Sequence, residues 1–172
     1  ARRRSRWQAN DVESYERVRR LRGARVPFRN PVHGIPMIAK QRIGIVGAGM
    51  MGHGIAKNLV EKGFPLAVRG HRSRAPIDDL VGRGATEVKT NADLARASDI
   101  VILCVTGAPQ VEEVMFGPEG VAGAARPGTI VVDTSTSEPA TTAKMREALA
   151  KQDVRFVDAP LARTPVEAEQ GR

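Results

Sequence analysis

Residues 42–60 read RIGIVGAGMMGHGIAKNLV, and this stretch decides the fold. A short apolar run ending at Val46 leads into Gly47-x-Gly49-x-x-Gly52, and a helical pattern of small and apolar residues follows it. A strand, a glycine turn and a helix in this order are typical of the site where an α/β sheet binds a dinucleotide. The stretch therefore predicts the first unit of a doubly wound parallel sheet, the Rossmann arrangement.

Each glycine of the turn has its own physical reason. Gly47 permits a tight turn, Gly49 leaves room for a pyrophosphate to approach the backbone, and Gly52 lets the helix pack close to the strand. The helix N-terminus then points its N–H groups at the anion. An ordinary strand–turn–helix corner without a ligand would share the three glycines. The apolar strand, and Ala56 on the small-residue face of the helix, favour a nucleotide site.

The composition is that of one globular domain. Hydrophobic residues make up 41% of the 172 residues and aromatic residues only 3%, so the core must consist of Val, Ile, Leu and Ala. Cys104 is the single cysteine and is expected in the core, and we predict no disulfide and no metal site. Without a bilayer-spanning run or a signal-peptide cleavage site, we expect a cytoplasmic protein with no membrane partner.

The basic charge belongs to the N-terminal segment. Ten arginines and three acidic residues lie in residues 1–36, which therefore carry +7 of the net charge of +8. We expect a basic, disordered arm over 1–36 and one domain over 37–172. Three interpretations of the arm remain open: sequence read through upstream of Met37, an inert tail, or an arm for nucleic acid, which is the partner that we favour least.

Strands and helices alternate from Met37 onward, which predicts a doubly wound parallel sheet. Residues 100–105 form a continuous apolar run, as expected of a central strand covered on both faces. Asn91 is predicted to cap a short helix. The predicted strands are 41–46, 65–68, 86–88, 100–105, 129–132 and 154–157. The predicted helices are 51–62, 75–81, 91–97, 109–115 and 137–151.

The end of the second strand indicates which dinucleotide binds. A site for NAD usually places Asp or Glu about 20 residues beyond the glycine turn, where it accepts from the ribose 2′-hydroxyl. Residues 68–74 read VRGHRSR and contain no acidic residue. Arg72 can hold a 2′-phosphate through two hydrogen bonds, Ser73 can donate another, and His71 can cover the adenine edge. We therefore predict NADP rather than NAD, with a solvated basic loop as the alternative.

Several motifs in order resemble the N-terminal domain of the β-hydroxyacid dehydrogenase family, the relatives of 3-hydroxyisobutyrate dehydrogenase. GAGMMGHGIAKNL is similar to the opening fingerprint of that family, and GHRS is similar to its adenosine-ribose segment. GTIVVDTST over 128–136 resembles its G-x-x-x-x-D-x-S-T signature, and Asp158-Ala159-Pro160 resembles the start of its substrate-binding segment. The resemblance implies a Rossmann domain truncated before the family's all-helical second domain, through which members form homo-oligomers.

The resemblance also implies roles for individual residues. The residues that would hold the pyrophosphate are Gly47, Gly49, Met50, Met51 and Gly52. The residues that would hold the 2′-phosphate are Arg72 and Ser73. The residues that would lie along the ribose and nicotinamide are Val105, Thr106 and Thr136. For Thr136, a helix-capping hydroxyl is the alternative.

Two departures from the family limit what the resemblance implies. Where the family commonly has Ser-Gly-Gly for the substrate carboxylate, this chain has Ala162, Arg163 and Thr164. Arg163 can hold a carboxylate or a sulfonate, although a surface arginine would look the same in the sequence. The family's proton-donor lysine, in a G-x-x-x-K-x-x-x-N pattern, would lie beyond Arg172, and none of the six lysines here occupies such a pattern.

We therefore expect the cofactor-binding part of an NADP-dependent oxidoreductase. The reaction would transfer hydride between the nicotinamide and a small anionic hydroxyacid or semialdehyde. Because carbonyl reduction needs a positioned acid, we expect the chain alone to be inactive. The alternative is a non-catalytic dinucleotide-binding interaction module whose basic arm binds nucleic acid.

Overall fold

The apolar strand Ile100–Leu103 lies in the middle of a six-stranded sheet, as its sequence predicts. The structure, a computed structural model, describes residues 40–70 and 73–172. The predicted arm lies outside these ranges, so the boundary between arm and domain stays a prediction. None of the helices in the described ranges has the length and apolarity needed to cross a membrane.

Six parallel strands form the sheet. They are β1 Ile43–Val46, β2 Leu66–Arg69, β3 Thr86–Val88, β4 Ile100–Leu103, β5 Ile130–Asp133 and β6 Arg155–Asp158. Their order across the sheet is β3-β2-β1-β4-β5-β6, and every neighbouring pair is parallel. The predicted doubly wound sheet is therefore confirmed. Its order reverses between β1 and β4, which is where ligands bind in such sheets, beyond the carboxyl ends of the strands.

Within residues 40–70 and 73–172, six helices follow the strands. They are α1 Met50–Glu61, α2 Ala75–Gly82, α3 Asn91–Ala97, α4 Ala108–Phe116, α5 Pro139–Ala150 and α6 Pro165–Glu169. The predicted bounds of the first five helices and of all six strands agree with these to within two residues. The sequence analysis did not predict α6.

Two local predictions are wrong. Thr90, and not Asn91, caps α3, because the Thr90 hydroxyl accepts from the Asp93 N–H at 2.9 Å. Asn91 is the first helical residue and accepts instead from the Arg69 guanidinium at 3.2 Å. Cys104 is half-buried rather than in the core, because β4 ends one residue earlier. Partial burial still raises the pKa of its thiol.

The apolar side chains form two cores, one on each face of the sheet. Alternate residues of a strand point to opposite faces, and a parallel sheet with helices on both sides buries both sets. Under α1 and α2, Ile45 and Val68 pack with Ile77 and Leu80. The core under α3, α4 and α5 includes Leu94, Val101, Leu103, Val111, Met115, Val131, Met145 and Leu149. Aliphatic side chains therefore dominate both cores, as the composition predicts.

Helix α6 packs across α1. Gly54 allows this contact, because a Cβ at that position would lie only 2.7 Å from the carbonyl carbon of Ala168. His53 of α1 lies between two carboxylates, with Nδ1 at 2.8 Å from Glu169 and Nε2 at 2.9 Å from Asp79. One side chain of α1 thus joins α2 on one side to α6 on the other.

Asp99 ties together the amino ends of three strands. The Arg42 backbone N–H donates to Asp99 Oδ2 at 2.9 Å, and its guanidinium Nη2 donates to Oδ1 at 2.7 Å. Arg126, which precedes β5, donates to the same Oδ1 at 3.0 Å. The hydrogen bonds from Arg42 lower the pKa of Asp99 to about 2.

We expect Asp99→Asn to lower the free energy of unfolding at neutral pH by about 1 kcal/mol, since water partly screens a pair at this exposure. Because folding lowers the pKa of Asp99, its stabilisation is present above the ordinary value of 3.8 and is lost as the pH falls towards about 2. Urea unfolding of both proteins across this pH range measures the effect. The variant should show the flatter dependence, and identical pH dependence of the two proteins would contradict the assignment.

Candidate dinucleotide-binding site

The carboxyl edge of the sheet collects the loops that the sequence analysis singled out. Residues 47–49 follow β1, Ser73 lies beyond β2, residues 104–107 follow β4, residues 134–138 follow β5, and residues 159–164 follow β6. Because the strands are parallel, these loops lie along one edge, around the point where the strand order reverses. Within the described ranges, no group of three or more His, Cys, Asp or Glu side chains is arranged to hold a metal ion.

Gly47 and Gly52 bring the turn, the end of β4 and helix α1 together. Gly47 has a φ of +100°, which residues with a Cβ rarely adopt, and a Cβ there would collide with the carbonyl of Cys104. A Cβ on Gly52 would collide with the Gly47 carbonyl oxygen and lie 3.4 Å from the Cβ of Cys104. Helix α1 therefore lies directly against the backbone of the turn, as predicted for Gly52.

Gly49 has a different role, because no neighbouring element within residues 40–70 and 73–172 comes within 4 Å of the position that its Cβ would take. Gly49 is the N-cap residue of α1, and no side chain caps the helix there. The first turn of α1 has no acidic residue, Met51 is half-buried, and Met50 is 80% exposed. The amino end of α1 thus presents backbone N–H groups without helical partners to an open space, which fits a pyrophosphate.

Beyond β2, the side chain of Arg74 meets acidic side chains of α2 and β3. Arg74 donates to Glu87 at 2.5 and 3.1 Å and to Asp78 at 2.7 Å. Glu87 lies on β3, and its carboxylate is 2.7 Å from the position that a Cβ on Gly70 would take. Hydrogen bonds from Arg74 lower the pKa of Glu87. The sequence analysis missed this carboxylate because it comes from the adjacent strand and not from residues 68–74.

The three residues predicted to hold the adenosine end are described only in part. Ser73 is exposed, while His71 and Arg72 lie outside the described residues, so their contacts stay predictions. The neighbouring Arg69 at the end of β2 is bonded to Asn91 within the fold.

Asp133 organises the loop after β5. It is fully buried at the end of that strand; its Oδ1 accepts from the Ser135 N–H at 2.9 Å and its Oδ2 from the Ser137 hydroxyl at 2.8 Å. Ser135 in turn accepts from the Val105 N–H at 3.0 Å. The sequence analysis quoted Asp133 and Ser135 within a motif and gave them no role. Their order Asp-x-Ser at a strand end, the spacing of a local side-chain-to-backbone turn, was the available signal.

The structure brings together the loops that carry Val105, Thr106 and Thr136. Val105 is half-buried, and the two threonines are exposed. A Cβ on Gly107 would lie 3.6 Å from the Thr136 carbonyl oxygen, so the loops after β4 and β5 are neighbours. The capping alternative for Thr136 is wrong, because Glu138 is the N-cap residue of α5 and makes no side-chain cap hydrogen bond.

Ala162, Arg163 and Thr164 are exposed in the segment between β6 and α6. Thr164 is the N-cap residue of α6 and forms a capping box with Glu167, which accepts from the Thr164 hydroxyl and, at 3.2 Å, from its N–H. These bonds lower the pKa of Glu167. Thr164 therefore begins a helix, and a contact of these three residues with substrate stays a prediction.

A family described as the NAD binding domain of 6-phosphogluconate dehydrogenase matches residues 42–172. The chain belongs to this family. The match confirms the predicted resemblance to the N-terminal domain of β-hydroxyacid dehydrogenases, which are NAD(P)-dependent oxidoreductases, and the cofactor of the NAD-binding domain is a nicotinamide dinucleotide.

The relatives extend well beyond the length of this chain. The 2-(hydroxymethyl)glutarate dehydrogenase of Eubacterium barkeri is 36% identical over 130 residues, which are 76% of this chain and 43% of that protein. The cytokine-like nuclear factor N-PAC of Xenopus tropicalis is 33% identical over 122 residues, 71% of this chain and 23% of that protein. The crystal structure of 3-hydroxyisobutyrate dehydrogenase from Salmonella typhimurium has a TM-score of 0.72 at 29% identity, covering 77% of this chain and 46% of that chain. The chain thus spans less than half the length of these relatives.

Substitution by alanine should have different effects at Gly52, which lies in helix α1, and at Gly49, which is the N-cap residue of that helix. We expect Gly52→Ala to lower the free energy of unfolding by more than about 2 kcal/mol, because overpacking against the Gly47 carbonyl outweighs roughly 1 kcal/mol of helix propensity. Gly49→Ala should stay within about 1 kcal/mol of the wild type, since only the preference at the N-cap changes, and should weaken dinucleotide binding about tenfold or more. Chemical unfolding and a fluorescence titration with NADPH measure both. Equal destabilisation by the two variants would contradict the division of roles.

Proposed function

We propose that this NAD-binding domain takes NADP and belongs to an oxidoreductase that acts on a small anionic hydroxyacid or semialdehyde. The observation that carries the proposal is the pairing of two features at neighbouring strand ends. The uncapped N-terminus of α1 at Gly49 suits a pyrophosphate, and residues 68–74, which contain no acidic residue, suit a 2′-phosphate. Relatives named as dehydrogenases of hydroxyacids support the reaction class.

The preference for NADP follows from the charges beyond β2. Glu87 and Asp78 would repel a 2′-phosphate, but Arg74 is hydrogen-bonded to both of them. A glutamate carboxylate is ionised at neutral pH, and the hydrogen bonds from Arg74 lower the pKa of Glu87 further, so the two side chains form an ion pair there. Arg72 and Ser73 then supply the hydrogen bonds to the phosphate. The acceptor that an NAD site usually offers to the ribose 2′-hydroxyl is missing from this loop.

The nicotinamide, when bound, supplies or accepts the hydride. The residues of this chain bind and orient: the glycine turn receives the pyrophosphate, and residues 104–107 with Thr136 receive the nicotinamide end. Arg163 would hold the anionic group of the substrate with its planar guanidinium. Carbonyl reduction also needs a positioned acid near the oxygen. We place that acid in the part of the relatives that this chain does not span, because none of its six lysines occupies the family's lysine pattern.

We expect the chain to bind NADPH more tightly than NADH, and Arg72→Ala to remove most of the difference. Loss of a charge-assisted hydrogen bond is worth on the order of 1.5–3 kcal/mol, which is about a tenfold to hundredfold change in affinity. Fluorescence titrations of both proteins with both cofactors measure this. Equal affinities of the wild type for NADPH and NADH would overturn the assignment of NADP.

Two further variants sharpen that experiment. Arg96→Ala is the matched control, since Arg96 is an exposed arginine paired with Asp93 on α3, outside the carboxyl-edge loops, and should leave both affinities unchanged. Arg74→Ala should weaken the binding of NADPH more than that of NADH, because it leaves the carboxylates of Glu87 and Asp78 without their arginine partner beside the 2′-phosphate.

A second candidate function is favoured by one comparison. The relative N-PAC bears the name of a nuclear factor and not of a dehydrogenase, and residues 1–36 of this chain are strongly basic. In this alternative the domain binds a dinucleotide without catalysis, and the arm binds nucleic acid. DNA binding that weakens steeply with salt and disappears on deletion of 1–36 would favour it. That deletion should leave cofactor affinity unchanged under either proposal.

We also expect the 172-residue chain to bind NADPH without turning over small semialdehydes. Hydride transfer to a carbonyl leaves an alkoxide that must be protonated as it forms, and none of the six lysines of this sequence occupies the family's proton-donor pattern. The loss of NADPH absorbance with a panel of small semialdehydes, run beside a binding titration, measures it. Turnover at ordinary enzyme rates of about 1 s⁻¹ or more would refute the expectation and would require an acid within this chain.

A further inference from the structure

Asp133 is a carboxylate buried at a strand position where an apolar residue would be expected. It ends β5 and lies in register with Leu103 on one side and Asp158 on the other. Burying a carboxylate is costly unless its hydrogen bonds are satisfied. Its partners are the Ser135 N–H and the Ser137 hydroxyl, both in the loop that follows it. The carboxylate therefore holds the shape of that loop.

Ser135 passes this constraint to the next loop. Ser135 is 4% exposed, its N–H donates to Asp133, and its hydroxyl oxygen accepts from the Val105 N–H at 3.0 Å. The adjacent Thr134 donates its N–H at 2.8 Å and its hydroxyl at 2.6 Å to the carbonyl of Leu103. Three hydrogen bonds thus fasten the loop after β5 to the end of β4 and the residues beyond it.

The fastened segment lies away from the adenosine end of the site. Strand β1 separates β2 from β4, and neighbouring strands are about 4.8 Å apart, so the ends of β2 and β4 are about 10 Å apart across the sheet. Residues 104–107 also contact the glycine turn, where the Cys104 N–H donates to the Val46 carbonyl at 2.9 Å. A change at Ser135 should therefore reach the loop after β4 and leave the loop after β2 unaffected.

We infer that Asp133 and Ser135 are positioning residues that hold the Val105 backbone, and with it residues 104–107, in place for the nicotinamide half of the dinucleotide. The inference rests on the proposed function, which places Val105 and Thr106 along the ribose and nicotinamide. The two residues act through Val105 and need not touch the cofactor. Loss of either residue should therefore weaken binding of the nicotinamide half and leave binding of the adenosine half unchanged. A purely structural role would affect the binding of both halves.

The test compares two ligands on matched serine variants of the full chain. The ligands are NADPH and adenosine 2′,5′-bisphosphate, which carries the adenosine end and lacks the nicotinamide. Ser135→Ala removes the acceptor of the Val105 N–H. Ser98→Ala removes a second buried serine hydroxyl, which donates to the Leu94 carbonyl at 2.6 Å near the opposite end of β4. Both variants lose one buried hydrogen bond beside the same strand, so their stabilities serve as the control.

We expect Ser135→Ala to weaken NADPH binding by about threefold to tenfold, the usual range for one lost hydrogen bond. The affinity for adenosine 2′,5′-bisphosphate should stay unchanged, and Ser98→Ala should change neither. Asp133→Asn, which keeps one acceptor for the Ser135 N–H, should give the same pattern with a smaller loss. An equal loss of affinity for both ligands in Ser135→Ala would overturn this inference and leave the proposed function standing. Failure of the wild type to bind either ligand would overturn the proposed function, and the inference with it.

A measurement without ligand tests the physical step directly. Amide hydrogen exchange reports local opening of the backbone. In Ser135→Ala the Val105 amide should exchange at least about tenfold faster than in the wild type, because it has lost its acceptor. Amides of α1 next to the glycine turn should exchange at the wild-type rate in both serine variants. Unchanged exchange of Val105 would overturn the inference whatever the binding data.

Discussion

Helix α1 meets the turn after β1 backbone to backbone, with no room for a side chain between them. Gly52 lies on the carbonyl of Gly47, and Gly47 lies on the carbonyl of Cys104, so the helix, the turn and the residue that follows β4 are stacked through the backbone of two glycines. This stack sets the direction of α1 and aims its amino end at the carboxyl edge of the sheet. The same helix carries Gly54 towards Ala168, which allows α6 to pack equally close. Glycine spacing on one helix thus places both the anion site and the C-terminal helix.

Asp99 and Asp133 lie at opposite edges of the sheet and are stabilised in different ways. At the amino edge, Asp99 is partly exposed and paired with the guanidinium groups of Arg42 and Arg126. At the carboxyl edge, Asp133 is fully buried and bound by neutral donors of its own loop. Ion pairs near the surface weaken with salt, whereas the interactions of a buried carboxylate are screened much less. The loop after β5 therefore keeps a geometry that changes little with ionic strength, whereas the exposed ion pairs of Arg74 beside the loop after β2 weaken with salt.

Most of the fold could be predicted because its determinants are local. The glycine turn and the apolar run before Cys104 each specify one unit within a few residues, and the alternation of such units specifies the parallel sheet. Helix α6 was missed although its signal was present, since Thr164-Pro165 followed by Glu167 is a capping-box pattern. The misplaced cap on α3 reflects two adjacent polar residues that can both cap a helix.

The site was less predictable because its side chains pair between elements. The contact of Arg74 with Glu87 joins the loop after β2 to a neighbouring strand, and the contact of Ser135 with Val105 joins two loops 30 residues apart in sequence. A motif read within one loop contains no information about its partner in another. The sequence of residues 68–74 therefore predicts the charge of the loop itself, but not the carboxylate of Glu87 that lies beside it.

The pairing of β1 with β4 also determines how the chain must fold. Asp99 and Arg42 are 57 residues apart in sequence, and every bond between β1 and β4 closes a loop of about that length. Closing this loop costs chain entropy before the stabilising contacts between β1 and β4 can form. Parallel sheets fold slowly for this reason. During synthesis, β1, β2 and β3 emerge before β4, so the half that carries the glycine turn exists for a time with one side of β1 unpaired. Until β4 arrives, that strand presents an open hydrogen-bonding edge between Ile43 and Val46, where other chains can add.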